Sequence, residues 1–426
     1  GYWARRVELT LTAQVPGIGP GLARVLAGGA ELGQLGLSRW FALHAFALPA
    51  ALAATVAWEG RGRSAGRHSL WVATAAVSAI ALAVAALYPA PLGLPADATR
   101  APDARPEWFL MPLYGLRGLF RGPTAEVVGT GFGLLLAGGA FAVLPLVDPA
   151  ARRWRWALAG AVTLGATAAA FGIVPARRDA RDGRLQQERS DDARRASRAR
   201  AVAALGVPPA GPLAVVRSDV LLRGEELFRE RCASCHVLGA LGDPREATAP
   251  RLDGWGTERW ILGLLHDPDG EVYFGRTAFR GRMPSVDVPP PEPEPGAPPF
   301  RPMPEGDQRA VAAFLADQGR EEGEPVGTAP REVVARGEAI VREQCTTCHL
   351  FGGQGDDSGQ ELAPELARYG SLGWTFAQIH DPATPATYRE HARDPELEGA
   401  MPAFGGELSA ADLALLARYT RAVARG

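Results

Sequence analysis

Four stretches of the chain are long and uninterruptedly apolar: Phe41 to Trp58, Leu70 to Tyr88, Val127 to Val147 and Trp156 to Pro175, none of which contains Asp, Glu, Lys or Arg. Each approaches the roughly 17 to 25 residues a helix needs to cross the hydrocarbon of a bilayer, so the pattern predicts four transmembrane helices. The short loops beside them set an orientation. Arg61, Arg63 and Arg67 lie between the first two runs, and Arg152, Arg153 and Arg155 between the last two. Positive residues of short loops stay on the cytoplasmic side, which puts the N-terminus, the middle loop and everything after Pro175 outside. Residues 1 to 37 hold scattered Arg and Glu and no short apolar core with a cleavage site, so a surface helix is expected there, with an upstream part missing or encoded elsewhere. After Pro175 the pattern changes. Residues 176 to 219 are rich in Arg and Asp, end in a Pro-containing run and predict a tether, part of it an exposed helix as far as Ala204.

Beyond that tether the chain repeats itself. All four of its cysteines fall in two copies of one motif, Cys232-Ala233-Ser234-Cys235-His236 and Cys345-Thr346-Thr347-Cys348-His349. Cys-x-x-Cys-His is the attachment sequence for c-type haem: two thiols add across the porphyrin vinyl groups, and the next residue supplies the imidazole under the iron. Similarity extends past the motif, as a true repeat requires. Arg223-Gly224-Glu225 matches Arg336-Gly337-Glu338, Ala249-Pro250 matches Ala363-Pro364, and His266-Asp267-Pro268 matches His380-Asp381-Pro382. Two homologous haem domains, 220–320 and 321–426, are therefore expected after a membrane domain over 1–175 and a linker over 176–219. Half a zinc site is the other use of a Cys pair, but the two pairs sit far apart, each in its own copy and each followed by His. A thioredoxin-like motif would need a βαβ pattern that neither copy has. The formal net charge of −2 gives no reason to expect a nucleic-acid partner.

A c haem held by His on one face commonly takes a Met on the other. In the second copy the only candidate is Met401, in Gly399-Ala400-Met401-Pro402, ahead of a helical stretch from Ser409 to Val423. The first copy offers Met283 and Met303; Met283 is preferred because its distance from the shared Asp-Pro is closer to that of Met401. Met303 then reads as a packing residue beyond a Pro-rich surface insertion, Val288 to Pro302, and His266 and His380 as residues closing apolar helices.

Several separated stretches resemble the later part of cytochrome b of the quinol-oxidising bc and b/f complexes. They are Tyr2-Trp3-Ala4 with Val15 to Gly19, the run Leu37 to His44 with Leu48-Pro49, Pro106-Glu107-Trp108-Phe109, and Leu144 to Asp148. Residues 220 to 426 resemble class I cytochromes c, and the whole is similar to the fused cytochrome b/c subunits of some bacterial complexes. The resemblance implies an all-α protein, a four-helix transmembrane domain like the C-terminal part of cytochrome b followed by two tandem class I cytochrome c domains. It implies a quinol-oxidation site at Pro106, Glu107, Trp108 and Phe109, with Glu107 taking the quinol proton toward the outer water. Phe109 stands where the family has Tyr and lacks that hydroxyl. His44 corresponds to a b-haem ligand, but the family's second ligand position is here Trp58, and the partner histidines of earlier helices are absent.

The expected function is a subunit of a membrane quinol:cytochrome c-type oxidoreductase in a bacterial inner membrane, with the haem domains on the outer side. Two covalent haems c are expected, with a b haem shared with a subunit carrying the N-terminal part of cytochrome b. Other expected partners are a Rieske-type iron–sulfur protein and a cytochrome acceptor. The alternative is a dihaem relay on a degenerate b-like anchor that binds no quinol, favoured by Trp58 and opposed by Glu107. A dihaem peroxidase is disfavoured by the Met candidates in both copies, because it needs one open or displaceable ligand.

Overall fold

The computed structural model describes residues 2–51, 53–54, 93–99, 111–122, 153–289, 299–325, 327–355, 363–389 and 401–426, with scattered helical positions between 72 and 87 and between 125 and 131. It divides into two compact units, Gly1–Ser197 and Arg198–Gly426.

In the first unit, helices α1 (Tyr2–Ala13) and α2 (Gly19–Ala27) pack together, and α3 (Gln34–Ala42) runs on into a π-helical turn, Leu43–Ala47. The indole of Trp40 donates to the Leu26 carbonyl at 2.8 Å, and the Arg5 guanidinium lies over its ring, tying α3 back to the first two helices. Helix α4 (Met111–Arg117) packs against α5 (Arg153–Arg181), which is followed by α6 (Gly183–Ala203), whose residues from Arg198 on belong to the second unit. The expected four-helix transmembrane domain is overturned here: among the described residues no helix is long and apolar enough to cross a membrane. Over its whole length α5, which contains the fourth apolar run, is not apolar, because it also takes in Arg153, Arg155, Arg177, Arg178, Asp179 and Arg181. The first run begins inside α3, which carries Arg39, and continues through the π-helical turn. The second and third runs lie largely outside the described residues.

The second unit is built from paired helices. Helix α7 (Pro212–Ser218) leads into α8 (Val220–Arg231), whose N-cap Asp219 accepts from the Leu221 and Leu222 amides and pairs with Arg198 at 2.9 Å. Next come α9 (Glu258–His266), α10 (Glu305–Gln318) and α11 (Arg331–Gln344), then a tight hairpin of β1 (Leu350–Phe351) and β2 (Gln354–Gly355). Helices α12 (Leu372–His380) and α13 (Ala410–Arg425) complete the unit. Caps recur at equivalent places, Thr257 bonding the Trp260 amide and Ser371 the Trp374 amide.

Helix α8 packs on the last helix of the unit, α13, and α10 packs on α11. Both contacts are close. A Cβ on Gly224 would sit 2.2 Å from Cβ of Tyr419, and one on Gly337 would sit 1.9 Å from the Ala310 carbonyl oxygen. The arginine before each glycine reaches across to the partner helix, Arg223 to Asp412 at 2.9 Å and Arg336 to Asp307. Arg223 holds the Asp412 carboxyl below the usual range, so this contribution is present above the ordinary carboxylate pKa and is lost as the pH falls through the lower folded-state value. Leu227, Phe228, Val311, Phe314, Val341, Leu413 and Leu416 fill the shared core. At its centre the Trp255 indole donates to the Tyr369 hydroxyl at 3.1 Å, with Trp374 packed against both rings. Arg421 and Arg425 of α13 bond the carbonyls of Gly319 and Gly370 and pair with Glu324, pinning the connection between α10 and α11.

Candidate functional site

Helix α8 ends at Cys232, and the turn that follows is closed by the Cys235 and His236 amides bonding back to the Cys232 carbonyl at 3.1 and 2.8 Å. This compact turn presents both sulfurs and the imidazole on the wall of one cavity of about 450 Å³. Nδ1 of His236 lies 2.8 Å from the Pro250 carbonyl oxygen. A carbonyl can only accept, so Nδ1 carries the proton and Nε2 keeps its lone pair for a metal; this is the orienting bond that metal-ligating histidines use. The second copy repeats the geometry. The His349 amide bonds the Cys345 carbonyl at 2.8 Å, and Nδ1 lies 2.9 Å from the Pro364 carbonyl oxygen. The chain then turns back tightly under each histidine at a positive-φ glycine, Gly242 and Gly355, where a Cβ would meet the His236 or His349 carbonyl oxygen at 2.2 Å. The Ala249-Pro250 and Ala363-Pro364 matches thus gain a purpose: each proline carbonyl sets the tautomer of its histidine.

Burial shapes the titration of these groups. Desolvation lowers the His236 pKa against the opposing effect of its bond to Pro250, favouring the neutral ring that ligates. Desolvation, with Cys235 alongside, pushes the Cys232 thiol up to about 12, and the same cause with Cys348 pushes Cys345 up to about 11. Among the described residues no group of three or more His, Cys, Asp and Glu is placed to hold a metal ion.

Most of the remaining cavity wall is apolar, with Trp260, Phe274, Phe279, Trp374, Ile379 and Tyr388, and Glu230, Arg231 and Glu407 also line it. A volume of this size, with thiols and an imidazole on one side and mainly apolar walls elsewhere, fits a flat, hydrophobic macrocycle. Met401 also lines it, and its Sδ accepts from Nε2 of Gln378 at 3.6 Å. The chemistry of the donor set, two thiols, one imidazole and one thioether, is that of a covalently held c haem.

Met283 and Met401 occupy equivalent positions. Val286 bonds the Leu265 carbonyl at 3.1 Å and Phe404 bonds the Ile379 carbonyl at 3.2 Å, each three residues after its methionine and each at the end of the matching helix, α9 or α12. Met303 instead donates its amide to the Val286 carbonyl at 2.8 Å and packs partly buried beside α10. His266 closes α9 with Nδ1 2.7 Å from Asp287, which raises its pKa, and His380 closes α12 stacked on Phe376; neither lines the cavity. His44 is exposed in the π-helical turn after α3. Trp58 and the stretch Pro106, Glu107, Trp108 and Phe109 lie outside the described residues. Sequence reasoning missed Trp260, Trp374, Gln378 and Tyr388. The first two were findable, because each stands the same distance after its repeat's proline.

Residues 332–419 match the family described as cytochrome c oxidase, cbb3-type, subunit III. The cbb3-type cytochrome c oxidase subunit CcoP of Helicobacter pylori is 24% identical over 157 residues, covering 36% of this chain and 45% of that protein. Cytochrome b6 of Picosynechococcus sp. is 41% identical over 49 residues, 12% of this chain and 22% of that protein, and cytochrome b6 of Prochlorococcus marinus (strain AS9601) is 42% identical over 53 residues, 12% and 24%. The chain thus spans between about a fifth and a half of the length of these curated relatives. No solved structure gives a significant match. With the cavity geometry, these similarities support a cytochrome-type electron-transfer protein whose cytochrome c domain implies covalently attached haem c.

Proposed function

We propose that this chain carries electrons through two covalent haems c, one per copy of the repeat, as a subunit of a quinol-oxidising cytochrome bc-type assembly at a respiratory membrane. The observation that carries the dihaem part is the duplicated pairing of a motif histidine with a proline carbonyl, His236 with Pro250 and His349 with Pro364. Cys232, Cys235 and His236 would hold the first haem, and Cys345, Cys348 and His349 the second. Haem supplies one-electron chemistry when bound, while the protein supplies ligands, burial and orientation. The two carbonyls fix each ring with Nε2 free, and at the first motif aromatic side chains would cover much of the haem. For the quinol part, the support is the cytochrome b6-like stretch together with Pro106-Glu107-Trp108-Phe109. Such an assembly would include a partner with the N-terminal part of cytochrome b, which would share a b haem, a Rieske-type iron–sulfur protein and a cytochrome acceptor. Phe41, Phe46 and Leu48, all more than half exposed, offer apolar surface for a partner or a lipid face.

A second reading, a subunit delivering electrons to a cbb3-type oxidase, is favoured by the match over 332–419 and by the CcoP similarity. The two readings separate in one assay on the assembly that co-purifies with the tagged chain. Reduction of the c haems by a quinol analogue, without oxygen uptake by the assembly, is the expected result. Oxygen uptake without quinol-driven reduction would replace the first reading by the second.

A further inference from the structure

Two self-contained repeats in tandem would each pair their own first and last helices, α8 with α10 and α11 with α13. The helices pair the other way. The α8 helix packs on α13, with Arg223 on Asp412 and Gly224 against Tyr419, while α11 packs on α10, with Arg336 on Asp307 and Gly337 against Ala310. Resting on the reading that each Cys-x-x-Cys-His run holds a haem, we infer that the two copies exchange their distal walls. The haem held by Cys232, Cys235 and His236 takes its second axial ligand from Met401, and the haem held by Cys345, Cys348 and His349 takes its own from Met283.

The cavity of the first motif carries this assignment. Besides Cys232, Cys235, His236 and Pro250 it is lined by Trp374, Gln378 and Ile379 of α12, by Met401 and Phe404, and by Thr420 of α13. Phe279, from the loop before Met283, also reaches this wall and packs on Tyr388 with ring centroids 5.9 Å apart, but it is Met401 and not Met283 that lines the cavity. The crossing continues in the backbone. Gly254, in the loop following the first motif, bonds the Ala424 carbonyl of α13, and Arg368, in the loop following the second, bonds the Gln318 side chain of α10. The exchanged elements meet where Trp255 bonds Tyr369, two residues in equivalent positions of the repeat. Met283, as the counterpart of Met401 in its bonding to the matching helix, lies in the segment between α9 and α10; α9 packs on α10, and α10 packs on the second motif's helix α11. Neither copy alone then encloses a His/Met haem, and each haem needs both copies of the repeat folded together.

The test uses the full chain with its assembly. In a chain retaining only the first motif, Cys345→Ala with Cys348→Ala, adding Met401→Leu should abolish the sulfur-to-iron charge-transfer band, and adding Met283→Leu should leave it. In the chain retaining only the second motif, Cys232→Ala with Cys235→Ala, the two effects should be reversed. The opposite pattern in either chain would overturn the exchange while leaving two haems in place. Haem content of the parent is measured in the same samples; a parent with one haem or none would instead overturn the reading beneath. Charge reversal decides the matter even where a single-motif chain fails to hold haem. Arg223→Asp should lower the midpoint of thermal unfolding by about 2–4 °C. Asp412→Arg should restore it under the exchange, whereas rescue by Asp307→Arg would show α8 paired with α10 and overturn the inference.

Discussion

Replacing Glu107 with Gln slows quinol-driven reduction of the c haems by about 10²- to 10⁴-fold, the usual cost of losing a positioned acid/base group. A quinol must give up a proton with its electrons, and a carboxylate at the site can take it where an amide of nearly the same size cannot. The change is nearly isosteric, and the haem motifs belong to a separate compact unit beginning at Arg198, so haem content should not move. Stopped-flow reduction by a quinol analogue, in membranes holding all partner subunits, reads the effect directly. Equal rates in wild type and variant, with intact haem in both, would remove the quinol site from the proposal and leave a relay fed by another donor.

Gly337→Ala destabilises the haem-bearing unit by about 1–3 kcal/mol, the typical cost of forcing an extra carbon into a closed contact. Alanine is the better helix former by about 1 kcal/mol at an unconstrained site. Here the new methyl would lie 1.9 Å from the Ala310 carbonyl oxygen, a backbone atom that no rotamer change can move aside, and 2.8 Å from Cβ of Phe314. The clash therefore outweighs the propensity gain and pushes α10 from α11. Gly224→Ala meets Cβ of Tyr419 at 2.2 Å and should behave alike, while Gly306→Ala, with nothing within 4 Å, should be neutral or slightly stabilising. Denaturant midpoints of the haem-loaded chain rank the three. Unchanged stability in the first two would mean that these helices do not cross as closely as described.

The parts of the fold that were legible in the sequence rest on local chemistry. Cys-x-x-Cys-His, the proline before each loop and the Ser or Thr caps sit at matching intervals, and matching intervals survive translation into structure. The repeated Arg-Gly-Glu was legible as a repeat but not as a helix crossing, because its partners Asp412 and Asp307 are remote in sequence. Which copy of a helix pairs with which was not legible at all: homologous repeats offer the same glycines and the same carboxylates within a copy or across copies. The connection from Gly319 to Pro330 joins the copies, and Arg421 and Arg425 bond its first carbonyl from the far end of the chain. Spacing in the sequence favours Met283 over Met303, and the backbone bonds of Val286 and Phe404 give Met283 and Met401 matching surroundings. The apolar runs misled for a different reason. Apolarity along the sequence does not say how far a helix extends: α3 carries Arg39 and gives way to a π-helical turn within the first run, and α5 continues past the fourth run into Arg177, Arg178, Asp179 and Arg181.

Haem stoichiometry tests the central claim most directly. Pyridine haemochrome quantification of the purified chain, with haem staining after denaturing electrophoresis, should give two covalently bound haems. Loss of one is expected for the Cys232→Ala, Cys235→Ala chain and of the other for the Cys345→Ala, Cys348→Ala chain. One haem or none on the wild-type chain would contradict the dihaem electron path.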